Sequence, residues 1–138
     1  MTNTNEKQVE RKRILIGDDK QKERTSLARA LGNYNLTFAE APDEVINKAR
    51  QSRYDLIITD LEYTEGGKEG FQVLREIKDL SEKRILYTGR RGFEMVMEGI
   101  FAGATEVVEG KNLSQLLEIV SELNSKRENT ELKGGERK

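Results

Sequence analysis

Short apolar segments alternate with segments of helical spacing along most of this chain. Five runs rich in β-branched and apolar residues are typical of buried strands, and they span residues 14–16, 36–38, 56–59, 85–87 and 105–108. Each run is followed by a stretch in which apolar residues recur every three or four positions, as they do on one face of a helix. The pattern therefore predicts five strand-helix units in succession.

The two helices nearest the C-terminus have the clearest spacing. Their apolar positions are Phe93, Met97, Ile100, Phe101 and Ala104 for the fourth helix, and Leu113, Leu116, Leu117, Val120 and Leu123 for the fifth. Asn112 is a good N-cap for the fifth helix, with Gln115 three residues later. Three weaker helices are predicted before Gly32, after Pro42 and after Gly70.

Strands and helices that alternate in this way build a parallel sheet with helices on both faces, and right-handed crossovers leave few topologies open. We predict a flavodoxin-like, doubly wound (βα)5 fold whose five-stranded parallel sheet has the order 2-1-3-4-5. The 138 residues fit one domain, which we place at residues 13–124. The polar segments 1–12 and 125–138 are expected to be flexible tails, with no output domain attached.

Composition narrows the class of protein. The chain is 35% hydrophobic and 36% charged, and no apolar run approaches the roughly 20 residues that would cross a bilayer. The basic N-terminus is not followed by the apolar segment of a secretory signal. We therefore expect a cytoplasmic protein that does not bind membranes. The 24 basic and 25 acidic residues nearly cancel, so there is no global basic field that would indicate binding to nucleic acid.

Two residue types that carry reactive or metal-binding side chains are missing from the sequence. The chain has neither cysteine nor histidine, which excludes thiol nucleophiles, disulfides, zinc sites with His or Cys ligands, Ser-His-Asp hydrolysis and a phosphohistidine carrier. Any chemistry must use carboxylates, hydroxyls and lysines.

Carboxylates follow two strands that are neighbours in the predicted sheet. Asp18 and Asp19 come directly after the first strand, and Asp60 comes directly after the third. In the flavodoxin-like order, the carboxyl ends of these strands meet where the winding reverses, which is where ligands bind. A single Asp at a strand end is usually structural, but three in one crevice would repel one another unless a divalent cation stabilised them. Oxygen ligands alone favour a hard ion such as Mg2+.

The last two strands add a hydroxyl and an ammonium group at the same edge. Thr88 follows the fourth strand, and Lys111 comes shortly after the fifth. Alone, the first would be an ordinary strand-end residue and the second an ordinary surface residue. Together they suit a transferred phosphoryl group, which spreads negative charge over its equatorial oxygens.

With these residues identified, the chain resembles the receiver domains of two-component response regulators over residues 12–124. The segment 14–19 resembles the first strand with its acidic pair, and the segment 54–61 resembles the strand that delivers the phosphoacceptor. Thr88 followed by Gly89 is similar to the family's hydroxyl residue followed by a small one, and Gly103-Ala104 to the pair that precedes the fifth strand.

The resemblance implies a stand-alone receiver in which Asp60 takes a phosphoryl group from a sensor histidine kinase or a histidine phosphotransfer protein. It also implies that Asp19, Asp60 and the backbone carbonyl of Glu62 bind Mg2+ directly, with Asp18 acting mainly through water. Thr88 and Lys111 would contact the phosphoryl oxygens. The output would be a downstream protein that docks on the face formed by helix 4, strand 5 and helix 5. Such a chain phosphorylates itself and loses the group slowly, and it is not an enzyme in the turnover sense.

Two departures from the family pattern concern the ends of strands. The loop after Asp60 is longer than usual and lacks the Met-Pro element, and Gly66 and Gly67 are expected to make it mobile. Gly110 stands where the family has Lys, and Lys111 where it has Pro. The peptide bond after Lys111 is predicted to be trans, and whether this lysine reaches the phosphoryl group stays open.

Two further departures concern coupling and access to the site. Val107 replaces the aromatic switch residue of the fifth strand, so the family's usual coupling between a threonine shift and an aromatic rotation does not operate unchanged. Glu62 and Arg90 stand two residues after Asp60 and Thr88, at positions that in this family tune phosphoryl lifetime. These two residues either form an ion pair over the pocket or are simply exposed.

Two alternative functions follow from the departures. A pseudo-receiver would keep the fold and act as a protein-interaction module without phosphorylation, as the displaced Lys111 suggests. A small Mg2+-dependent phosphohydrolase would use Asp60 as nucleophile and Glu62 as its acid and base, but the chain has no cap domain. For the receiver itself, the sequence is compatible with an output protein, a relay intermediate or a phosphate sink.

Overall fold

The structure is a computed structural model that describes the backbone of residues 11–136 and the side chains of residues 11–124. Five strands and five helices alternate in the described residues. The strands are β1 (Arg13–Gly17), β2 (Asn35–Ala39), β3 (Leu56–Thr59), β4 (Arg84–Tyr87) and β5 (Glu106–Val108). The helices are α1 (Gln21–Ala30), α2 (Pro42–Gln51), α3 (Glu69–Ile77), α4 (Phe93–Ala102) and α5 (Leu113–Glu136).

The predicted tails are only partly within the described residues. Residues 1–10 and 137–138 lie outside them, while α5 continues to Glu136 through most of the segment expected to be a tail. The flexible tails and the domain boundaries at residues 13 and 124 therefore stay predictions.

All five strands of the sheet are parallel and follow the order β2-β1-β3-β4-β5, which confirms the predicted topology. Strand β1 lies between β2 and β3, with Ile14 paired to Leu36 on one side and to Leu56 on the other. Because β1 and β3 are adjacent and end level, with Gly17 opposite Thr59, the residues after them come together.

Helices cover both faces of the sheet, because successive strand side chains point to opposite sides. Ile14 and Ile16 pack with residues of α1 and α5 in one cluster, whereas Leu15 packs with residues of α2 and α3 in another. Leu86 packs with residues of α3 and α4. Among the described residues, no helix has the length and apolar character needed to cross a membrane.

Helix α4 has most of its large apolar side chains on the solvent side. Phe93 and Phe101 are 78% and 83% exposed, and Met97 and Ile100 are 36% and 42% exposed. We call these four residues the apolar face of α4. The small residues Gly99 and Ala102 are the buried ones. A Cβ atom at position 99 would lie 3.0 Å from Leu86 Cδ2, so α4 packs closely on β4 through a residue without a side chain. The apolar spacing located this helix, but four of its five positions lie on the exposed side.

Candidate functional site

The structure brings together the three predicted carboxylates at the carboxyl ends of β1 and β3. One carboxylate oxygen from each of Asp18, Asp19 and Asp60 lies within 4.8 Å of the other two. Asp18 and Asp60 are buried, at 1% and 6% exposure, whereas 32% of the Asp19 side chain is exposed. The cluster therefore has two oxygen donors inside the protein and one at its rim.

Backbone hydrogen bonds fix the direction of the two buried carboxylates. The Asp60 amide donates to the Gly17 carbonyl at 2.9 Å and the Asp18 amide to the Ala39 carbonyl at 3.0 Å, so each residue continues the sheet pairing. The Leu61 amide donates to Asp60 Oδ1 at 2.7 Å, and the Lys20 amide donates to Asp18 Oδ1 at 3.0 Å. Each carboxylate is therefore held in place before any ligand binds.

The third carboxylate has an unsatisfied oxygen. Asp19 Oδ1 is buried and has no hydrogen-bond partner among the described residues, although Lys20 Nζ lies 3.5 Å away. An unpaired buried polar atom costs free energy. A hard cation bound among the three carboxylates would satisfy this oxygen and offset their mutual repulsion, so the donor set fits a divalent metal ion.

Lys111 reaches the cluster although it stands one position later than the family pattern predicts. Its Nζ lies 3.0 Å from Asp18 Oδ2 and 3.7 Å from Asp60 Oδ1. Gly110 and Lys111 both have left-handed backbone conformations, with φ values of 62° and 49°, and this turn brings the lysine back over the site. No described peptide bond is cis, in agreement with the trans bond predicted after Lys111.

Thr88 is placed beside the carboxylates by β4. Its side chain is buried, at 1% exposure, and its amide donates to the Val108 carbonyl at 3.0 Å. The Arg90 amide donates to Thr88 Oγ1 at 3.0 Å. A cavity of about 280 Å³ opens here, and it is lined by Lys20, Glu23, Asp60, Glu62, Thr88, Gly89, Arg90 and Lys111. Four predicted site residues (Asp60, Glu62, Thr88 and Lys111) thus line one small pocket together with the basic side chains of Lys20 and Arg90.

Glu62 and Arg90 form an ion pair in the structure, which is the first of the two alternatives that the sequence left open. Arg90 Nη1 donates to Glu62 Oε2 at 2.6 Å, and the hydrogen bond from Arg90 lowers the pKa of Glu62. Both side chains are partly exposed, so the pair contributes little to stability. It nevertheless links the loop after β3 to the loop after β4, over the pocket.

Two residues that the sequence did not indicate, Tyr63 in the loop after Asp60 and Glu69 at the start of α3, hold this loop in place. Glu69 Oε1 accepts the Tyr63 amide at 3.0 Å, and Glu69 Oε2 accepts the Thr64 hydroxyl. Tyr63 is buried, and its hydroxyl is 2.8 Å from Thr59 Oγ1. The close approach needs glycine at position 17, where a Cβ atom would lie 2.3 Å from Tyr63 Oη. A lone aromatic residue in a polar loop was the only available signal. The mobility expected for the loop stays a prediction.

The electrostatics of the site make the buried acid at the end of β3 unusual. Burial raises the pKa of Asp60 to about 6, with a further increase from Asp18, while the ammonium of Lys111 opposes the shift. Because desolvation disfavours the ionised carboxylate, a bound cation would favour it. The site is therefore arranged so that charge on Asp60 and binding of a cation support each other.

Comparison with known proteins gives the family. The family model for the response regulator receiver domain matches residues 14–121. The chain belongs to the response regulator receiver family. The transcriptional regulatory protein ResD of Bacillus subtilis strain 168 is 32% identical to this receiver over 104 residues, which are 73% of this chain and 42% of ResD. The receiver thus spans less than half the length of that relative.

Solved structures resemble the receiver along most of its length. The response regulator protein TrrA of Thermotoga maritima, in complex with Mg2+-BeF, is 31% identical with a TM-score of 0.69, and the match covers 81% of this chain and 98% of TrrA. The receiver domain of the Francisella response regulator 1452 is 18% identical with a TM-score of 0.73, and the match covers 84% and 98% of the two chains. The predicted resemblance and the flavodoxin-like fold are confirmed. Receivers of this family act in two-component signalling with histidine kinases or phosphotransfer proteins.

Proposed function

We propose that this receiver takes a phosphoryl group onto Asp60 from a phosphohistidine of a sensor kinase or phosphotransfer protein, in a Mg2+-dependent reaction, and then signals by binding a partner. The observation that carries the proposal is the position of Lys111, whose Nζ lies 3.0 Å from Asp18 and 3.7 Å from Asp60. An ammonium group held between Asp18 and the phosphoacceptor Asp60 suits the negative charge that develops during phosphoryl transfer. With a sensor kinase or phosphotransfer protein as the phosphoryl donor, the reaction would take place in the cytoplasm, which is the location predicted from the sequence.

Asp18, Asp19, Asp60 and the backbone carbonyl of Glu62 would hold the Mg2+ ion. All of these donors are oxygens, which suits a hard cation. The ion would neutralise charge on the carboxylates and on the incoming phosphoryl group. The buried Oδ1 of Asp19, which has no hydrogen-bond partner among the described residues, supports a ligand at this position.

The protein's own groups account for the rest of the transfer. A carboxylate oxygen of Asp60 attacks phosphorus as the bond from phosphorus to the donor's imidazole nitrogen breaks, and that nitrogen keeps the electron pair. Leu61 orients the nucleophile through its amide. Lys111 and Thr88 line the same pocket as Asp60, so their ammonium and hydroxyl groups can donate to the phosphoryl oxygens.

The two alternative functions are less well supported. The pseudo-receiver hypothesis rests on the displaced Lys111, on Val107 and on the unusual loop after Asp60. The first of these grounds is weakened, because the Lys111 ammonium pairs with Asp18. The phosphohydrolase hypothesis needs Glu62 to give and take protons, but its hydrogen bond with Arg90 lowers its pKa, which disfavours the protonated form that a general acid needs. A phosphoacceptor with slow autodephosphorylation is the better fit.

Incubation with Mg2+ and acetyl phosphate, followed by intact-protein mass spectrometry, tests the phosphoacceptor. We expect an adduct of one phosphoryl group on the wild type and none on Asp60→Asn. Asp55→Asn is the matched control, because Asp55 is an exposed acid at the other end of β3 and its loss should leave the adduct unchanged. Fluorescence or NMR titration with beryllofluoride and Mg2+ covers the case of rapid hydrolysis. A wild type with neither an adduct nor Mg2+-dependent beryllofluoride binding would refute the proposal.

The downstream partner is proposed to dock on the face of α4, β5 and α5, centred on the apolar face of α4. Exposed apolar surface of this kind marks interaction sites. The exposed charges on α4 are Glu94 and Glu98, and the helix contains no basic residue. Charge complementarity therefore favours an amphipathic partner helix whose apolar stripe is flanked by Lys or Arg.

A designed helical peptide with leucines on one face and lysines beside them tests this surface. We expect it to bind the receiver, and Phe101→Asn to weaken binding by about tenfold, as for a central apolar anchor. Glu94→Gln with Glu98→Gln should also weaken it, whereas Glu82→Gln, an exposed acid before β4, should not. Equal binding of a peptide with glutamates in place of the lysines would contradict the charge argument. Self-association detected by light scattering would assign the face to a second copy instead.

A further inference from the structure

Tyr87 makes two contacts with Lys111, one through its ring and one through its hydroxyl. The Lys111 Nζ lies 4.5 Å from the centroid of the Tyr87 ring, a distance at which a cation is attracted to the face of an aromatic ring. The Tyr87 hydroxyl also donates to the Lys111 backbone carbonyl at 3.2 Å. Tyr87 is the last residue of β4, directly before Thr88, and is 4% exposed. One buried side chain thus contacts both the ammonium group and the backbone of the lysine.

The backbone of Lys111 needs such support. A side-chain-bearing residue with φ of 49° has a conformation that is costly relative to ordinary backbone and that persists only where its surroundings hold it. The Lys111 amide donates to the Thr88 carbonyl at 2.8 Å, and the Asn112 amide to the Glu109 carbonyl at 3.2 Å. The Tyr87 hydroxyl donates to the Lys111 carbonyl. Both the amide and the carbonyl of Lys111 are therefore bonded to residues at the end of β4.

The ring of Tyr87 limits where the ammonium group can go. A free lysine side chain has four rotatable bonds and loses considerable entropy when it is ordered. Lys111 Nζ is placed among three groups: the Tyr87 ring, Asp18 and Asp60. Two of them attract it by charge and the third by its π-face. The ammonium is therefore held where the phosphoryl oxygens would arrive.

We infer that Tyr87 is a positioning residue for Lys111, with its hydroxyl holding the left-handed turn and its ring holding the ammonium beside Asp18 and Asp60. This inference rests on the proposed function, because it assigns Tyr87 a role in the same phosphoryl transfer. The two contacts of Tyr87 also explain how Lys111 reaches the site although it stands one position later in the sequence than the lysine of the family pattern. Tyr87 is not among the residues that line the pocket at Asp60, and it acts through Lys111.

The rate of phosphorylation by acetyl phosphate at saturating Mg2+ tests the inference. Tyr87→Phe keeps the ring and removes the hydroxyl, and we expect the rate to fall a few-fold. Tyr87→Leu removes both contacts, and we expect the rate to fall by about tenfold or more, which corresponds to the roughly 1.4 kcal/mol that one cation–π contact and one hydrogen bond can supply. In a Lys111→Ala background, Tyr87→Leu should have no further effect, because residues that act through one another are not additive.

Tyr54→Leu is the matched control. Tyr54 is also a buried tyrosine, at 8% exposure, and its ring also lies under a cation, with Arg13 Cζ 4.8 Å from the centroid. It precedes β3 at the opposite end of the sheet from the site. Its substitution should lower stability as Tyr87→Leu does but leave the phosphorylation rate of the folded protein unchanged. Equal rates for the two leucine variants, or a full Tyr87→Leu effect in the Lys111→Ala background, would overturn the inference.

A second measurement does not depend on phosphorylation. In the unmodified protein, NMR should place the ε-methylene protons of Lys111 upfield of their usual position, because the Tyr87 ring current shields them, and this shift should vanish in Tyr87→Leu. If the wild type takes no phosphoryl group but the shift is present, the proposed function fails while the contact stands. If the wild type is phosphorylated and the shift is absent, the inference about Tyr87 is wrong.

Discussion

Asp60→Asn is expected to stabilise the metal-free receiver at neutral pH, although it removes the phosphoacceptor. Burial raises the pKa of Asp60 in the folded state to about 6, from the ordinary value of 3.8. Between these values the folded state binds more protons than the unfolded state, so stability falls as the pH rises through this window. At pH 7 the ionised carboxylate therefore destabilises the fold by about 2–3 kcal/mol. Asparagine carries no charge, and Lys111 keeps its partner Asp18.

Urea unfolding in EDTA at pH 7 and at pH 4 measures this effect. The variant should be more stable than the wild type at pH 7, and the difference should disappear near pH 4, where Asp60 is protonated in the folded protein. Addition of Mg2+ at pH 7 should stabilise the wild type more than the variant and reduce the difference, because the ion binds the folded state. Asp79→Asn, at an exposed site after α3, should change little. A metal-free variant that is less stable than the wild type at pH 7 would contradict the argument.

Gly70→Ala is expected to be among the most destabilising single-methyl substitutions in this receiver. A Cβ atom at position 70 would lie 2.2 Å from the backbone carbonyl oxygen of Asp60 and 2.7 Å from Leu61 Cα. Both are backbone atoms, so no side-chain rotation relieves the overlap. The Gly70 amide also donates to the Leu61 carbonyl at 2.8 Å, which holds the start of α3 against the end of β3. We expect a loss of about 3 kcal/mol or more in the free energy of unfolding.

Chemical denaturation of Gly70→Ala and Gly32→Ala makes a matched comparison. Gly32 follows α1, and a Cβ atom there would have its nearest neighbour at 3.6 Å, an ordinary contact, so we expect a change of at most about 0.5 kcal/mol. If Gly70→Ala unfolds at the same denaturant concentration as Gly32→Ala, α3 is free to move away from β3, and its packing does not fix Asp60. Because the clash falls on the Asp60 backbone, a folded Gly70→Ala protein should also be phosphorylated more slowly.

The strand order and the placement of the carboxylates could be predicted because both follow from periodicity. Alternation of strand and helix patterns fixes a parallel sheet, and residues directly after its strands meet at one edge. Asp18 and Asp60 needed nothing more than their positions in sequence. The hydrogen bond from the Asp60 amide to the Gly17 carbonyl shows that these residues continue the pairing of β1 with β3 and therefore meet at one edge.

The contacts that hold the site depended on information that a linear pattern lacks. The reach of Lys111 follows from the backbone angles of two successive residues, Gly110 and Lys111, and a shift of one position in sequence does not reveal such a turn. Tyr63 and Glu69 hold the loop only because the folded chain places Tyr63 against Gly17 and the Thr64 hydroxyl against Glu69. The spacing that marked α4 likewise gave no direction, because a helix with large apolar residues outside and small ones inside has the same period as the reverse.

The set of charged groups at the end of β1 and β3 has a consequence for electroneutrality. Inside the site, three carboxylates and the partly buried ammonium of Lys111 leave two negative charges, the number that one divalent cation cancels. The ammonium of Lys20, 3.5 Å from Asp19, is 61% exposed and is screened by solvent. A phosphoryl group on Asp60 replaces a monoanion with a group of roughly −1.5 to −2 charge, and the balance is lost. Arg90 lines the same pocket while paired with Glu62. If its guanidinium turned to the new anion it would leave Glu62 unneutralised, and the change in charge would move from the interior to the rim, where another protein can sense it.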